Sequence, residues 1–288
     1  MTSSVLIGGE DWGAAVGAAG RGEWLILRAA WSAVEPKRGE YDEGLIEADR
    51  RALIAARKQG VEVILVAHSG GLPDWQIERD GWLDGDALAG FGCYVDRLAH
   101  AYGELVRHWV GLWEPLGEAA IYEADRGKVA RTLLDVQSSA WLHLRKAPGP
   151  GGAGTVVGVA ERFDVVSRRR DRLGADALGR IAGALGRTAA EEAWRRSAPH
   201  ALVAVLSSGR LAPPFGAVGE LSGGTAASDF TVALRPTVQD LHQIWLTGRA
   251  VFVLGDVGVA EEAAKQGVRV LGAAPYTGSS TTSNLPKS

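Results

Sequence analysis

The sequence predicts an α/β protein, folded as a shortened, single-domain (β/α)8 TIM barrel. Short apolar runs recur along almost the whole chain, and they are continuous rather than alternating, as suits parallel strands buried on both faces. Segments with a helical period separate them, and no Gly-x-Gly-x-x-Gly follows the first run, so a doubly wound dinucleotide fold is disfavoured. The predicted strands are Ser4–Gly8, Trp24–Ala29, Val61–Ala67, His108–Trp113, Thr155–Ala160, Ala201–Leu206, Ala250–Leu254 and Val268–Gly272. Between them, Asp42–Lys58 and Lys128–Arg145 read as helices. The clearest helical stripe is Phe91, Tyr94, Val95, Leu98, Tyr102 and Leu105, spaced for one core-facing side. Pro236 suits the first turn of a helix over Thr237–Thr247. Long loops are expected at Ala147–Gly154, a Gly/Pro-rich linker, and at Gly209–Ser228. The barrel is assigned to residues 1–278 and a Ser/Thr-rich disordered tail to 279–288.

Composition narrows the function. With 46% hydrophobic and 23% charged residues among 288, a sizeable core is expected. A net charge of −3 gives no reason to expect nucleic acid as a partner. The short cluster Arg168–Arg172 reads as a solvated helix start. No run is apolar enough over sufficient length to span a membrane, and the first residues lack the pattern of a secretion signal. A cytoplasmic protein acting on a small-molecule substrate is the simplest expectation, with its oligomeric state left open. The single cysteine, Cys93, excludes an internal disulfide and is expected to be a buried structural thiol. The six histidines show no metal-ligand spacing, and no phosphate-cradling glycine loop or serine-hydrolase elbow occurs, so neither a metal nor a cofactor is called for.

One carboxylate stands out in His108-Trp109-Val110-Gly111-Leu112-Trp113-Glu114-Pro115. It ends a buried strand, where an acid is costly unless it is satisfied or used. Barrel chemistry sits at the C-terminal strand ends, so Glu114 is a candidate general acid/base. Its aromatic neighbours are expected to favour the protonated, proton-donating form.

Three segments around this residue resemble the family-one glycoside hydrolases, the β-glucosidase family. Trp31-Ser32-Ala33-Val34-Glu35-Pro36-Lys37-Arg38-Gly39 is similar to the family's W-S-R-I-x-P-x-x-G. Gly60 to His68, followed by Leu72-Pro73-Asp74-Trp75, is similar to G-I-E-P-x-V-T-L-x-H-x-x-L-P-x-W. Gly81-Trp82-Leu83-Asp84, Phe91, Tyr94, Trp109 and Glu114-Pro115 follow the pattern G-W-x-N, F-x-x-Y, W-x-x-x-N-E-P. The resemblance covers roughly the first 125 residues and is thin beyond them. It implies a barrel fold and assigns the acid/base role to Glu114.

The departures from the family pattern lie in the sugar-reading shell. Trp113 replaces the asparagine before the acid, Ser69 and Gly70 replace a sugar-binding His-Trp pair, and His68 sits one position early. Arg28 lies three residues before Trp31 rather than five, with the same strand parity. The family's nucleophile falls on Gly255, or with a one-residue slip on Asp256, and the eighth-strand sugar motif is replaced by Ala273-Ala274-Pro275-Tyr276. Retaining hydrolysis needs two carboxyls about 5–5.5 Å apart, which a glycine abolishes and an aspartate widens.

The leading expectation is therefore a repurposed barrel enzyme. Glu114 acts as general acid/base on a non-sugar, largely apolar metabolite, in a cyclisation, elimination, isomerisation or hydrolysis. Trp12, Trp31, Trp75, Trp82 and Trp113 are candidate pocket walls. Glu114 and Asp256 are the catalytic candidates; Arg28, Trp31, His68, Trp113, Glu161 and Tyr276 are the substrate-binding candidates. The first alternative is a surviving glycosidase using Glu114 and Asp256, with further contacts from Glu10, Asp11, Glu118 or Glu161. The second is a non-catalytic binding protein.

Overall fold

A computed structural model describes residues 3–7, 11–122, 125–162, 230–238, 241 and 250–276. Its strands are β1 (Ser3–Ile7), β2 (Trp24–Arg28), β3 (Glu62–His68), β4 (His108–Trp113), β5 (Val156–Arg162), β6 (Phe230–Leu234), β7 (Ala250–Leu254) and β8 (Val270–Ala274). Each pairs in parallel with the next, and β8 pairs back to β1 through Ser3↔Gly272 and Ser4↔Ala273, which closes the ring. Seven strands fall on or within a few residues of the runs read from the sequence. Among the described residues the strand between β5 and β7 is Phe230–Leu234, which is not among those runs, and the expected strand Ala201–Leu206 lies outside the described residues. The expected loop Gly209–Ser228, the arginine cluster and the tail also lie outside them.

Strand alternation sorts the apolar side chains into two layers. Ile26, Ile64, Val66, Val110, Phe252 and Leu254 fill the barrel interior. Leu25, Leu27, Val63, Leu65 and Trp109 face outward against the helices, as do Val251 and Val253 further round the ring. Both layers exclude water, which is why these strands read as uninterrupted hydrophobic runs.

The helices after the strands are α1 (Trp12–Ala18), α2 (Trp31–Val34), α3 (Glu43–Gln59), α4 (Asp74–Ile77), α5 (Ala87–Tyr102), α6 (Pro115–Ile121), α7 (Arg126–Leu144) and α8 (Val257–Lys265). In α3 the Asp42 carboxylate accepts from the Leu45 amide at 2.8 Å, satisfying one orphan donor of the first turn. Glu43 in the first turn and Arg57 and Lys58 in the last complement the helix dipole. The helix stops at Gly60, left-handed at φ 74°. In α5 the predicted stripe Phe91, Tyr94, Val95, Leu98 and Tyr102 is fully buried, and Leu105 is partly buried beyond its end. Cys93 corrects an expectation, for it is exposed between the buried Gly92 and Tyr94. Ala147–Gly154, read as a flexible linker, contains a 3-10 turn at Pro150–Gly152 and a hydrogen bond from Gly154 N–H to the Pro148 carbonyl at 2.8 Å.

An irregularity in β4 shapes the site. Val110 and Trp113 pair with Gly158 and Ala160, so β4 carries one residue more than β5 over that stretch. This bulge brings Trp113 opposite Ala160, and both side chains join the interior cluster. On the outer side, Gln137 of α7 accepts from the Leu112 amide at 2.8 Å. Gly111 gives it room, since a Cβ there would lie 2.6 Å from the Gln137 amide oxygen.

Candidate active site

Glu114 follows β4 directly and stands at the start of α6, with Pro115 as the first helical residue. Its backbone is left-handed, φ 52° and ψ 51°. For a residue with a Cβ this costs about 1–2 kcal/mol, and such strain gathers at functional positions. The conformation is held on both sides: Glu114 N–H donates to the Ala160 carbonyl at 2.8 Å, and Glu118 N–H donates to the Glu114 carbonyl at 3.0 Å. The half-buried Glu114 carboxylate accepts from the Trp113 indole N–H at 3.2 Å.

One turn further along α6 lies a second carboxylate that the sequence marked only as a spare polar group. Glu118 accepts from the Trp82 indole N–H at 2.6 Å, and both its oxygens lie within 3.1 Å of His68 Nε2. Its side chain retains 11% exposure and that of His68 only 1%. Burial alone would raise the Glu118 carboxyl, yet the facing His68, by charge and hydrogen bond, and the Trp82 N–H hold it below its usual value. His68 ends β3 and is boxed edge-on by Trp31, Trp82 and Phe91, at 6.3, 5.4 and 5.9 Å between ring centroids. Its Nδ1 is buried without a hydrogen-bond partner among the described residues. No local motif announces this cluster, because its members come from three segments. The available signal was the unspent acid one turn after Glu114.

The tryptophans divide between two environments. Trp113 alone of the five belongs to the interior cluster; Trp12, Trp31 and Trp82 are core residues of the outer layer, and Trp75 packs against it. Trp31 is fully buried, stacks on Tyr94 at 5.3 Å and donates its indole N–H to Glu35 at 2.7 Å. Trp12 leans on Tyr102 at 5.9 Å. The pocket wall of five tryptophans is thus an aromatic layer behind the strands, with one member inside.

The remaining candidates sit at separate strand ends. Arg28, half-buried, ends β2 beside Val66 and shares the interior parity of Ile26. Glu161 lies in β5 in register with Ala233, and Arg162, the last residue of that strand, with Leu234. Tyr276 follows β8, packs on the interior cluster and has the Arg235 guanidinium 5.5 Å from its ring centre. Asp256 is exposed at the N-terminus of α8, where its carboxylate caps the helix by accepting from Gly258 N–H at 2.8 Å. Gly255 follows β7 directly, its N–H donating to the Ala274 carbonyl at 2.9 Å. Among the described residues no three His, Cys, Asp or Glu side chains gather as a metal-ligand set, and no helix is long and apolar enough to cross a membrane.

A closed parallel ring with an acid at the fourth strand end can be set beside known proteins. A β-glycosidase from Pyrococcus horikoshii superposes with a TM-score of 0.62, covering 93% of this chain and 73% of that one at 15% identity. The family 1 β-glucosidase of Thermotoga maritima superposes with a TM-score of 0.59 over 87% and 72%, at 13% identity. Rice (Oryza sativa subsp. japonica) β-glucosidase 5 is 29% identical over 106 residues, 36% of this chain, and β-glucosidase 6 is 28% identical over 136 residues, 46% of it. The chain is similar to the family-one β-glucosidases, strongly diverged. At these identities the solved structures establish shared fold. The matched segments span only 20% and 25% of the two rice enzymes. No family model matches the chain.

Proposed function

We propose that this glucosidase-like chain is a shortened, single-domain (β/α)8 barrel over residues 1–278, with a tail at 279–288, acting in the cytoplasm on a small molecule. Glu114 serves as general acid/base on a largely apolar, non-sugar metabolite, by cyclisation, elimination, isomerisation or hydrolysis. The observation that carries this reading is the strained, left-handed Glu114 at the C-terminal end of β4, its carboxylate on the Trp113 indole. The apolar substrate class is supported by the packing of Ile26, Val66, Trp113 and Leu254 inside the barrel, side chains that, the Trp113 indole N–H apart, give sugar hydroxyls nothing to bond. Arg28, His68 and Tyr276 are the groups proposed to orient the substrate, with Trp31 packed behind them and Glu161 at the rim.

A glycosidase remains the second reading, favoured by the rice β-glucosidase likeness, which covers 46% of the chain. It would pair Glu114 with Asp256, and the helix-capping contact of Asp256 weighs against that pairing.

Turnover of aryl β-glycosides by the protein and by Glu114→Gln separates the two. Turnover abolished in the variant establishes the glycosidase. Silence from the folded protein, together with saturable tryptophan quenching by apolar aromatic ligands, supports the non-sugar reading. Turnover unchanged in the variant refutes the role of Glu114.

A further inference from the structure

Acid/base chemistry at Glu114 needs a second group, and Asp256 caps α8 through the Gly258 amide. The buried cluster on α6 supplies one. We propose that Glu118, held by His68 and the Trp82 indole, is the base that works opposite Glu114; this rests on the acid/base reading of the site.

Three observations lead there. Glu118 lies one helical turn from Glu114, the two joined by the Glu118 N–H to Glu114 carbonyl bond of 3.0 Å. Its carboxylate is held by two donors, His68 Nε2 within 3.1 Å of both oxygens and Trp82 Nε1 at 2.6 Å from Oε1, and keeps 11% exposure. A carboxylate fixed by two donors and still reachable is oriented before any substrate arrives, which is the arrangement a base requires.

The third observation is the cost of His68. An imidazole buried among Trp31, Trp82 and Phe91, with Nδ1 unpartnered among the described residues, gives up hydration that a leucine or phenylalanine would never have had. Packing does not explain it, because the box is already aromatic. The ring's one polar contact among the described residues is Glu118. His68 is therefore a positioning residue: its Nε2–H donates to the carboxylate, the same donor and acceptor as in the carboxylate–imidazole pairs of hydrolases, but here the imidazole holds the carboxylate in place.

Opening of an aryl epoxide tests the pair without knowledge of the natural substrate. With para-nitrophenyl glycidyl ether, a Glu118 oxygen attacks the terminal epoxide carbon. The carbon–oxygen bond breaks, its electron pair stays on the ring oxygen, and that oxygen takes the proton of Glu114. The product is a hydroxyalkyl ester on Glu118, heavier by one whole reagent, and peptide mass spectrometry locates it.

The expected result is preferential esterification of Glu118. The rate should fall at least about a hundredfold in Glu114→Gln, the scale of losing a general acid. It should fall about tenfold in His68→Leu and recover in His68→Gln, whose amide can still donate; near-ultraviolet dichroism checks the fold of each variant. A merely structural His68 would not show that recovery, so equal labelling of the leucine and glutamine variants overturns its positioning role. Ester on Glu114 or Asp256, on scattered exposed carboxylates, or on none, overturns the assignment of Glu118. Esterification of Glu118 at an unchanged rate in Glu114→Gln upholds Glu118 as the reactive carboxylate and refutes Glu114 as its acid.

Discussion

Replacing Asp49 with asparagine should make the protein more stable at neutral pH while leaving its stability in acid nearly unchanged. Asp49 lies in the middle of α3, 7% exposed, and its one described partner is the Tyr102 hydroxyl at 3.3 Å. Burial raises its pKa from 3.8 to about 6, and the Tyr102 hydrogen bond offsets only part of that. The folded state therefore holds this proton more tightly than the unfolded chain. Stability falls as pH rises through that window, and the loss persists above it. At about 1.4 kcal/mol per pH unit the penalty reaches at most roughly 3 kcal/mol at pH 7. Asparagine keeps an acceptor for Tyr102 and cannot ionise, so the variant escapes the penalty. Urea unfolding followed by circular dichroism at pH 4 and pH 7.5 reads the difference. The gain should appear at the higher pH and nearly vanish at the lower. A gain equal at both, or none at either, would show that Asp49 is not desolvated as its burial requires.

His108 should behave in the opposite sense. It stands on the interior face of β4 against Trp24 and Phe230, at 4.9 and 5.9 Å, and burial, with a smaller push from Arg107, lowers its pKa to about 4. The unfolded chain then binds the extra proton between pH 6.5 and 4, so stability declines as pH falls through that range. His108→Phe should gain on the parent by up to roughly 3 kcal/mol over that interval in the same urea titration; a pH-independent difference would refute the buried, neutral imidazole. Gly111→Ala should cost about 1–3 kcal/mol, because its methyl meets the Gln137 oxygen that holds the Leu112 amide. Adding Gln137→Ala should then cost less than it does alone, and strict additivity in the double-mutant cycle would refute the clash.

The sequence disclosed most of the barrel because buried parallel strands leave contiguous apolar runs that no turn residue interrupts. It passed over the strand Phe230–Leu234 for a reason in the same signal. Ala201-Leu202-Val203-Ala204-Val205-Leu206 and Phe230-Thr231-Val232-Ala233-Leu234 are both short apolar runs, and periodicity has no means of choosing between them. The site divided in a similar way. Glu114 was visible because a strand, an acid and a proline are adjacent in the chain. Glu118 was not, since its partners His68 and Trp82 lie 50 and 36 residues away. The tryptophans misled because an indole suits a pocket wall and a core equally well, and it is the β4 bulge that turns Trp113, alone of the five candidates, inward.

The ring closes through two residue pairs, Ser3↔Gly272 and Ser4↔Ala273, whereas β2 and β3 are joined by five. That short ladder unites the two ends of the described chain, so its formation restricts more of the polypeptide than any other strand pairing. Contacts of such long range carry the slowest entropic penalty in folding and are set after the local β–α units have docked. The β1–β8 ladder is accordingly the latch of the molecule: last to shut during folding, and the first place where native fluctuations would part the sheet and let backbone amides exchange with solvent.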